Sequence, residues 1–355
     1  MIMKTTTSTI RSGAAALALS IAALTSATFA QTTATTVPVG FMTVTIPAAA
    51  SGTLPSNTTF SVPLYNTPDF AAAVATVDST TQFTLTGASW VASQFANAAA
   101  PRFVRVKSSA TASHVGKFFL VSDNTATGQL TVILPAGTTD VATAVSVADA
   151  CEVVPGNTLA TLFGPNSAGA TGVFAAGTFF QTGATSPVAD NLVVWNGANW
   201  DTYYNNNTNW KKSGNLTNQN NTVIYPDEGI FVIRRATAAL TLTLMGTVPS
   251  TSEQTNLGGA GSTFIANRFP VDVSFVNSGI QSTAGWVTGA SAAAADTVFL
   301  WNGANWDTYY HNGTNWKKSG NLANQNATLI PAGTALFIVK TSAASTLTQA
   351  LPYTP

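Results

Sequence analysis

The sequence predicts an all-β protein: an N-terminal β domain followed by two tandem β modules, sandwich- or barrel-like, that share a repeated Trp/Tyr-rich meander. Three observations lead there. Short β-favouring runs alternate with clusters of Gly, Pro, Ser, Asn and Thr along the chain. No stretch keeps an amphipathic 3.6-residue period over about 15 residues. A segment in the second half occurs twice at a constant spacing.

The length of 355 residues leaves room for two or three domains. Charged residues make up only 8%, and fourteen basic residues balance fourteen acidic ones. A nucleic-acid binder needs a Lys/Arg surplus to neutralise phosphates, so that class is excluded. A charge-driven disordered chain is excluded as well. One cysteine, Cys151, excludes an internal disulfide framework and a Cys-rich zinc site. Two histidines, His114 and His311, leave little for metal or acid–base chemistry, and no cofactor or metal site is expected.

Residues 1–30 read as an export signal. Lys4 and Arg11 supply the positive start, 14–24 is an apolar run, and Thr28-Phe29-Ala30 places small residues ahead of cleavage before Gln31. A membrane anchor needs about 20 apolar residues, more than this run holds. Polar residues interrupt every later apolar run, so no transmembrane anchor is expected. The expected location is extracytoplasmic: secreted, periplasmic or at the cell surface.

The N-terminal β domain is placed at 31–155, with strands at 40–46, 82–85, 103–107, 117–122 and 129–134 and a hairpin loop at 123–128. Val104 and Val106 share one face while Phe103, Arg105 and Lys107 share the other, which suggests an edge-like or half-exposed strand. Segments 70–75, with Asp69 as a possible N-cap, and 158–163 are candidates for short helices. The first β module spans 156–249 and the second 250–355, with Gly258-Gly259-Ala260-Gly261 read as the linker between modules.

The repeat places WNGANWDTYY at 195–204 and again at 301–310. Over 195–220 and 301–326, 23 of 26 positions match at an offset of 106. The register continues to 195–235 against 301–341, where only the apolar and basic pattern survives. Asn302-Gly303 and Asn312-Gly313 suit two-residue hairpin turns, in which both central residues need positive φ. That spacing predicts strands at 296–301, 304–310 and 314–319, with His311 facing Thr314, Tyr309 facing Trp316 and Asp307 facing Lys318. Tyr203/Trp210 and Asp201/Lys212 are the corresponding pairs.

Six of the eight tryptophans fall in these segments. Trp195, Trp200, Trp301 and Trp306 are expected as the structural core of the repeat, with Trp200 and Trp306 largely buried. Trp210, Tyr203, Trp316 and Tyr309 are the candidate ligand-binding residues, because exposed aromatic faces flanked by Asn, Asp and Lys suit sugar rings. Other polar groups have simpler readings. His311 is a turn residue, since Asn205 holds its place in the first copy. His114 stands alone, and Asp227-Glu228 after Pro226 read as a turn. No nucleophile elbow, HExxH, P-loop or calcium-loop pattern occurs, so no catalytic residue is assigned.

The leader, Val39-Gly40-Phe41, Leu162-Phe163-Gly164, the Trp/Tyr meander, the strand 229–233 ending in Arg234-Arg235, and Leu244-Met245-Gly246-Thr247-Val248 together resemble an uncharacterised family of secreted, β-rich, repeat-containing bacterial proteins. That resemblance implies export and repeat architecture and brings no activity. The function expected is a non-enzymatic surface or extracellular structural or interaction protein. Its partners would be glycans, surface proteins or further copies of the chain. A carbohydrate-binding module using the repeated Trp/Tyr motif is the alternative, and a secreted polysaccharide hydrolase the third.

Overall fold

The computed structural model describes residues 38–354 apart from 136, 171, 176 and 177. The expected signal peptide and most of the leader lie outside the described residues. The described chain is all-β: six strands close a barrel, and two five-stranded sheets with short accessory ribbons form the modules.

The barrel runs in the order Phe70–Ser79, Gln82–Leu85, Gln129–Ile133, Phe118–Asn124, Arg102–Ser108, Ala150–Pro155, and the last strand pairs back with the first. Val74, Phe83, Val104, Val106, Phe119, Leu130 and Val153 fill its interior. Closure leaves no free sheet edge. The segment 70–75 is therefore strand, not helix. A helix of two turns has little stability of its own, whereas 70–73 pair with 150–153 and the same strand goes on through 74–79 to pair with 82–85. The other helix candidate does form, as Leu159–Phe163. Thr158 caps it by accepting from Thr161 N, while the Thr161 hydroxyl accepts from Thr158 N. The strand Arg102–Ser108 is not an edge. It lies between Phe118–Asn124 and Ala150–Pro155, and the face bearing Phe103 and Arg105 is covered as well.

The first module's sheet has the strand order Trp210–Lys212, Trp200–Asn205, Asn191–Trp195, Ile230–Arg234, Ser56–Phe60. The second has Trp316–Lys318, Trp306–His311, Thr297–Trp301, Ala335–Lys340, Gly261–Ala266. The orders correspond strand for strand. Each module also carries a two-stranded ribbon, Val39–Ile46 with Leu240–Thr247 and Glu253–Leu257 with Ser345–Gln349. A short bridge follows in each, Asn157–Thr158 with Val223–Ile224 and Val273–Ser274 with Leu329–Ile330.

This corrects the domain boundaries read from sequence. Strands Val39–Ile46 and Ser56–Phe60 belong to the first module, and the barrel is an insertion between its second and third strands. Asn66 ties the two ends of the insertion together, donating to Pro155 O at 2.9 Å and to Asn157 Oδ1 at 3.3 Å. Ends held this close make the insertion cheap in loop-closure entropy. Gly258–Gly261 is likewise no linker; it lies in the loop joining Glu253–Leu257 to Gly261–Ala266 within the second module.

The matched Ala-Asp pairs at 189–190 and 295–296 now have a reason. Asp190 accepts from Gln181 N and Arg235 N, both at 2.6 Å. Asp296 accepts from Val287 N at 2.9 Å and Thr341 N at 2.8 Å. Each buried carboxylate closes a loop onto the sheet by satisfying backbone donors that would otherwise be orphaned.

The meander departs from its predicted register. Trp301 faces Trp306 and His311 faces Trp316, so each hairpin loop has four residues, not two. Asn302 N donates to Asn305 O, and the Asn302 side chain accepts from Ala304 N and Asn305 N. Only the glycine of each Asn-Gly takes positive φ, Gly303 at 97° and Gly313 at 94°, whereas a type I′ turn needs two such residues. The Asn side chain thus builds a longer loop by capping it. The register slides by two, which keeps every side chain on its expected face. Tyr309 now opposes Lys318, and Asp307 reaches Lys318 diagonally.

Candidate functional site

Both faces of each meander are covered, by different things. On one face, Trp210 is buried beneath the turn that follows Leu159–Phe163. Its indole donates to Gly164 O at 2.8 Å, and the rings of Phe163, Phe179 and Phe180 surround it. Trp316 is equally buried, stacked on Phe275 with centroids 4.8 Å apart. Tyr203 and Tyr309 lie in the same two cores. Trp210, Tyr203, Trp316 and Tyr309 are therefore core residues, and the expectation that they face a ligand is corrected. Burial pushes the Tyr203 hydroxyl up to about 12, with the charges of Asp201 and Glu228 adding to the shift.

The other face of each meander meets the opposite module. Trp195 donates its indole N–H to Ser262 O at 3.0 Å, and Trp301 donates to Asn57 O at 3.0 Å. Ser262 and Asn57 occupy the same place in their sheets, opposite Val339 and Ile233. Ser61 N bonds Gly333 O and Ala266 N bonds Asp227 O, again a matched pair, each at 2.9 Å. Reciprocal contacts of this kind define an approximate two-fold axis between the modules. Phe231 packs on Trp301 and Trp306; Phe337 packs on Trp195 and Trp200.

Trp200 keeps 39% of its surface exposed, and Trp306 is half-buried. These rings were expected to be largely buried and are instead at a seam. The seam is no flat platform: Trp195 and Trp200 meet at 74° and Trp301 and Trp306 at 64°, both with centroids 5.3 Å apart. Edge-to-face pairs are a packing geometry, and a sugar ring needs coplanar exposed faces.

The barrel is pinned to both modules by a buried ionic cluster that sequence reasoning missed. Glu253 is fully buried and accepts from Arg105 at 2.5 Å, from Arg268 at 2.6 Å and from the Tyr65 hydroxyl at 2.6 Å. Arg268 also bonds the Tyr65 hydroxyl. Arg105 comes from the barrel, Tyr65 from the first module's side of the insertion, Glu253 and Arg268 from the second module. Beside it, Gln254 holds the barrel loop through Ser113 O and Val115 O. Gly116 is required there, because at φ 86° a Cβ would lie 2.3 Å from Ser252 O. The signal in the sequence was Arg105 within Phe-Val-Arg-Val-Lys: a charge inside an apolar strand of a chain with only 8% charged residues.

The remaining titratable groups are dispersed. His114 does have a partner, Asp149 Oδ2 at 3.0 Å, and both are buried. His311 Nδ1 accepts from Gly313 N, as Asn205 Oδ1 accepts from Asn207 N, so both copies cap the same turn. Lys212 and Lys318 each sit 2.7 Å from Asp201 and Asp307. Pro226 and Asp227 form a turn, after which Glu228 bridges to Ile265. Burial, with the nearby charges of Asp227 and Asp201, pushes the Glu228 carboxyl up to about 8. Asp227 lines a cleft of about 360 Å³ with Phe118, Tyr225 and Asn256, and no second carboxylate lines it. Cys151 is buried in the barrel, and burial pushes its thiol up to about 12. No group of three or more potential metal ligands occurs among the described residues. No helix among them is long and apolar enough to cross a membrane.

No protein-family profile, curated protein or solved structure matches the chain.

Proposed function

We propose that this is an exported, non-enzymatic surface or matrix protein that works through its loops and not through a pocket. The observation that carries the reading is how its charges are used. Six of its fourteen acids lie in ion pairs with Lys or Arg and a seventh, Asp149, meets His114, and the most buried of them bind one part of the fold to another. A hydrolase needs convergent, unpaired titratable groups within reach of one substrate atom. Here Asp201 and Asp307 are neutralised by lysines, and Glu253 is spent on holding three bodies together. Near-zero net charge also leaves little electrostatic barrier to association at a surface.

Fractionation of the producing cells followed by intact-mass measurement tests export. The expected product is a chain beginning at Gln31, outside the cytoplasm. A cytoplasmic chain retaining Met1 would refute export. Hydrolysis of a polysaccharide that is lost on Asp227→Asn or Asp201→Asn would refute the non-enzymatic reading.

A further inference from the structure

The two modules diverged in an unusual pattern. The buried strand residues 191–194 share none of their four residues with 297–300, and 230–234 share only Phe231/Phe337 of five with 336–340. Between them, 195–220 and 301–326 differ only at 205/311, 207/313 and 217/323. Drift in the buried strands is ordinary, since hydrophobic swaps of similar volume cost little. Exposed loops should drift faster still, because substitutions there rarely change stability by more than about 0.5 kcal/mol. The observed order is the reverse.

Packing accounts for part of the identity. The Trp and Tyr residues fill the cores and the seam, Asn196 and Asn215 cap their own loops, and Asn220 accepts from Trp210 N. Five identical positions per module have no such role; one is Thr208/Thr314, and the other four lie on loops 196–199 and 213–218 and their counterparts. Ala198, Asn199, Ser213 and Leu216 are exposed, and so are Ala304, Asn305, Ser319 and Leu322. The side chains of Asn199, Ser213 and their counterparts bond no described residue. Leu216 is 71% exposed and Leu322 74%, each on a loop whose carbonyl is held by a lysine, Lys211 Nζ at 2.7 Å and Lys317 Nζ at 2.8 Å. A large apolar side chain held out into solvent twice, on the same fixed loop, is a surface shaped for contact.

We propose that loops 196–199 and 213–218, and their counterparts 302–305 and 319–324, form two equivalent binding patches for the same repeating unit of a polysaccharide. The inference rests on the surface-protein reading above. Each patch offers a free side-chain amide, a free hydroxyl and an apolar leucine, while its aspartate is neutralised by Lys212 or Lys318. Amides and hydroxyls on preformed loops match a polyhydroxylated partner, with little ordering cost on binding. A peptide would call for a sheet edge, an apolar groove or a charged clamp, and these loops supply none. The presence of one patch on each module adds a consequence. A protein with two equivalent patches can hold two chains at once and cross-link them.

The probe is the polysaccharide fraction of the producing cells, stripped of protein with protease and detergent and divided into insoluble and soluble parts. The mature chain is expected to sediment with the insoluble part and to clump the soluble part. Ser213→Asp with Leu216→Asp, or Ser319→Asp with Leu322→Asp, should abolish clumping and weaken binding to the insoluble part by about 10²–10⁴-fold through lost bivalency. The four substitutions together should abolish binding with the melting temperature unchanged. Failure of the mature chain to bind, clumping by either single-patch variant, or full binding by the four-fold variant would overturn the proposal. Binding seen only before protein is stripped would point to a protein partner and overturn it too. An exported chain that fails these tests leaves the export reading intact and removes this one alone.

Discussion

Replacing Glu253 by glutamine removes one negative charge and almost no volume, and it isolates what the central ionic cluster contributes. Glu253 is fully buried and meets two guanidinium groups that are themselves 4% and 1% exposed. Arg105 has a second carboxylate, Glu152, only at 3.8 Å, and Arg268 has none within ion-pair distance among the described residues. In Glu253→Gln the guanidinium of Arg268 stays buried against the Tyr65 ring and hydroxyl with no paired anion. Breaking one side of a buried pair costs about 3–5 kcal/mol, mostly as the penalty of the stranded charge. The loss should fall at the junction, so that the barrel and modules no longer unfold together. Urea denaturation read by far-UV circular dichroism and by tryptophan fluorescence should show coincident transitions in the parent and separated ones in the variant. Replacing Arg105, Glu253 and Arg268 together with Met, Leu and Met should recover most of the loss, since an apolar cluster of similar volume removes the desolvation cost. A loss under about 1 kcal/mol in Glu253→Gln, with transitions still coincident, would refute the assignment of this cluster as the pin.

Three further outcomes follow from burial and titration. Trp210→Ala and Trp316→Ala should each destabilise by about 3–5 kcal/mol in denaturant titrations, and Trp200→Ala by clearly less, because its ring is part-exposed at the seam. Glu228 has its carboxyl raised to about 8 by burial. A raised carboxyl favours the folded state below its unfolded pKa, and that stability drains as pH climbs toward 8. Glu228→Gln should therefore raise the melting temperature at pH 8.5 by a few degrees and leave it unchanged at pH 4; equal shifts at both would contradict the assignment. Cys151 should resist thiol reagents until the barrel unfolds, so labelling kinetics that match global unfolding are expected, and rapid labelling of the folded chain would count against its burial.

How legible the fold was depended on how local each determinant is. Short alternating strands, turn clusters and the tandem repeat are properties of neighbouring residues, so the β class and the meander could be read directly. That Tyr309 and Trp316 share a face was read correctly, because parity survives a two-residue slide in register. The slide itself was missed because the Asn side chains cap a four-residue loop at positions that equally suit a two-residue turn. Which face becomes core was misread for a different reason. Aromatics line both faces, and the choice was made by remote segments: the turn after Phe163 and residue Phe275 on one side, the opposite module on the other.

The inserted barrel was the least legible feature, and the physical reason also bears on what the molecule does. The first module's sheet recruits Ser56–Phe60, whose partner Ile230–Arg234 lies on the far side of the barrel in sequence. Its counterpart Gly261–Ala266 shows no evident likeness to it: Thr59 stands where Phe264 does, opposite Phe231 and Phe337. Backbone pairing needs no matching side chains, so the equivalence lives in hydrogen bonds and not in residues. The insertion breaks the equivalence of the modules in one place. The second module's ribbon is covered by the barrel through Glu253 and Gln254. At the corresponding ribbon of the first, Met42 and Thr43 oppose Leu244 and Thr243, and the neighbouring Phe41 and Met245 are exposed. Loops 196–199 and 302–305 join Trp195 to Trp200 and Trp301 to Trp306 in the same register in both modules. A chain that let its cores drift, took an extra domain into one module and still kept two sets of loops that differ only at Thr217/Ala323 is constrained at the loops, which is where its function should be sought.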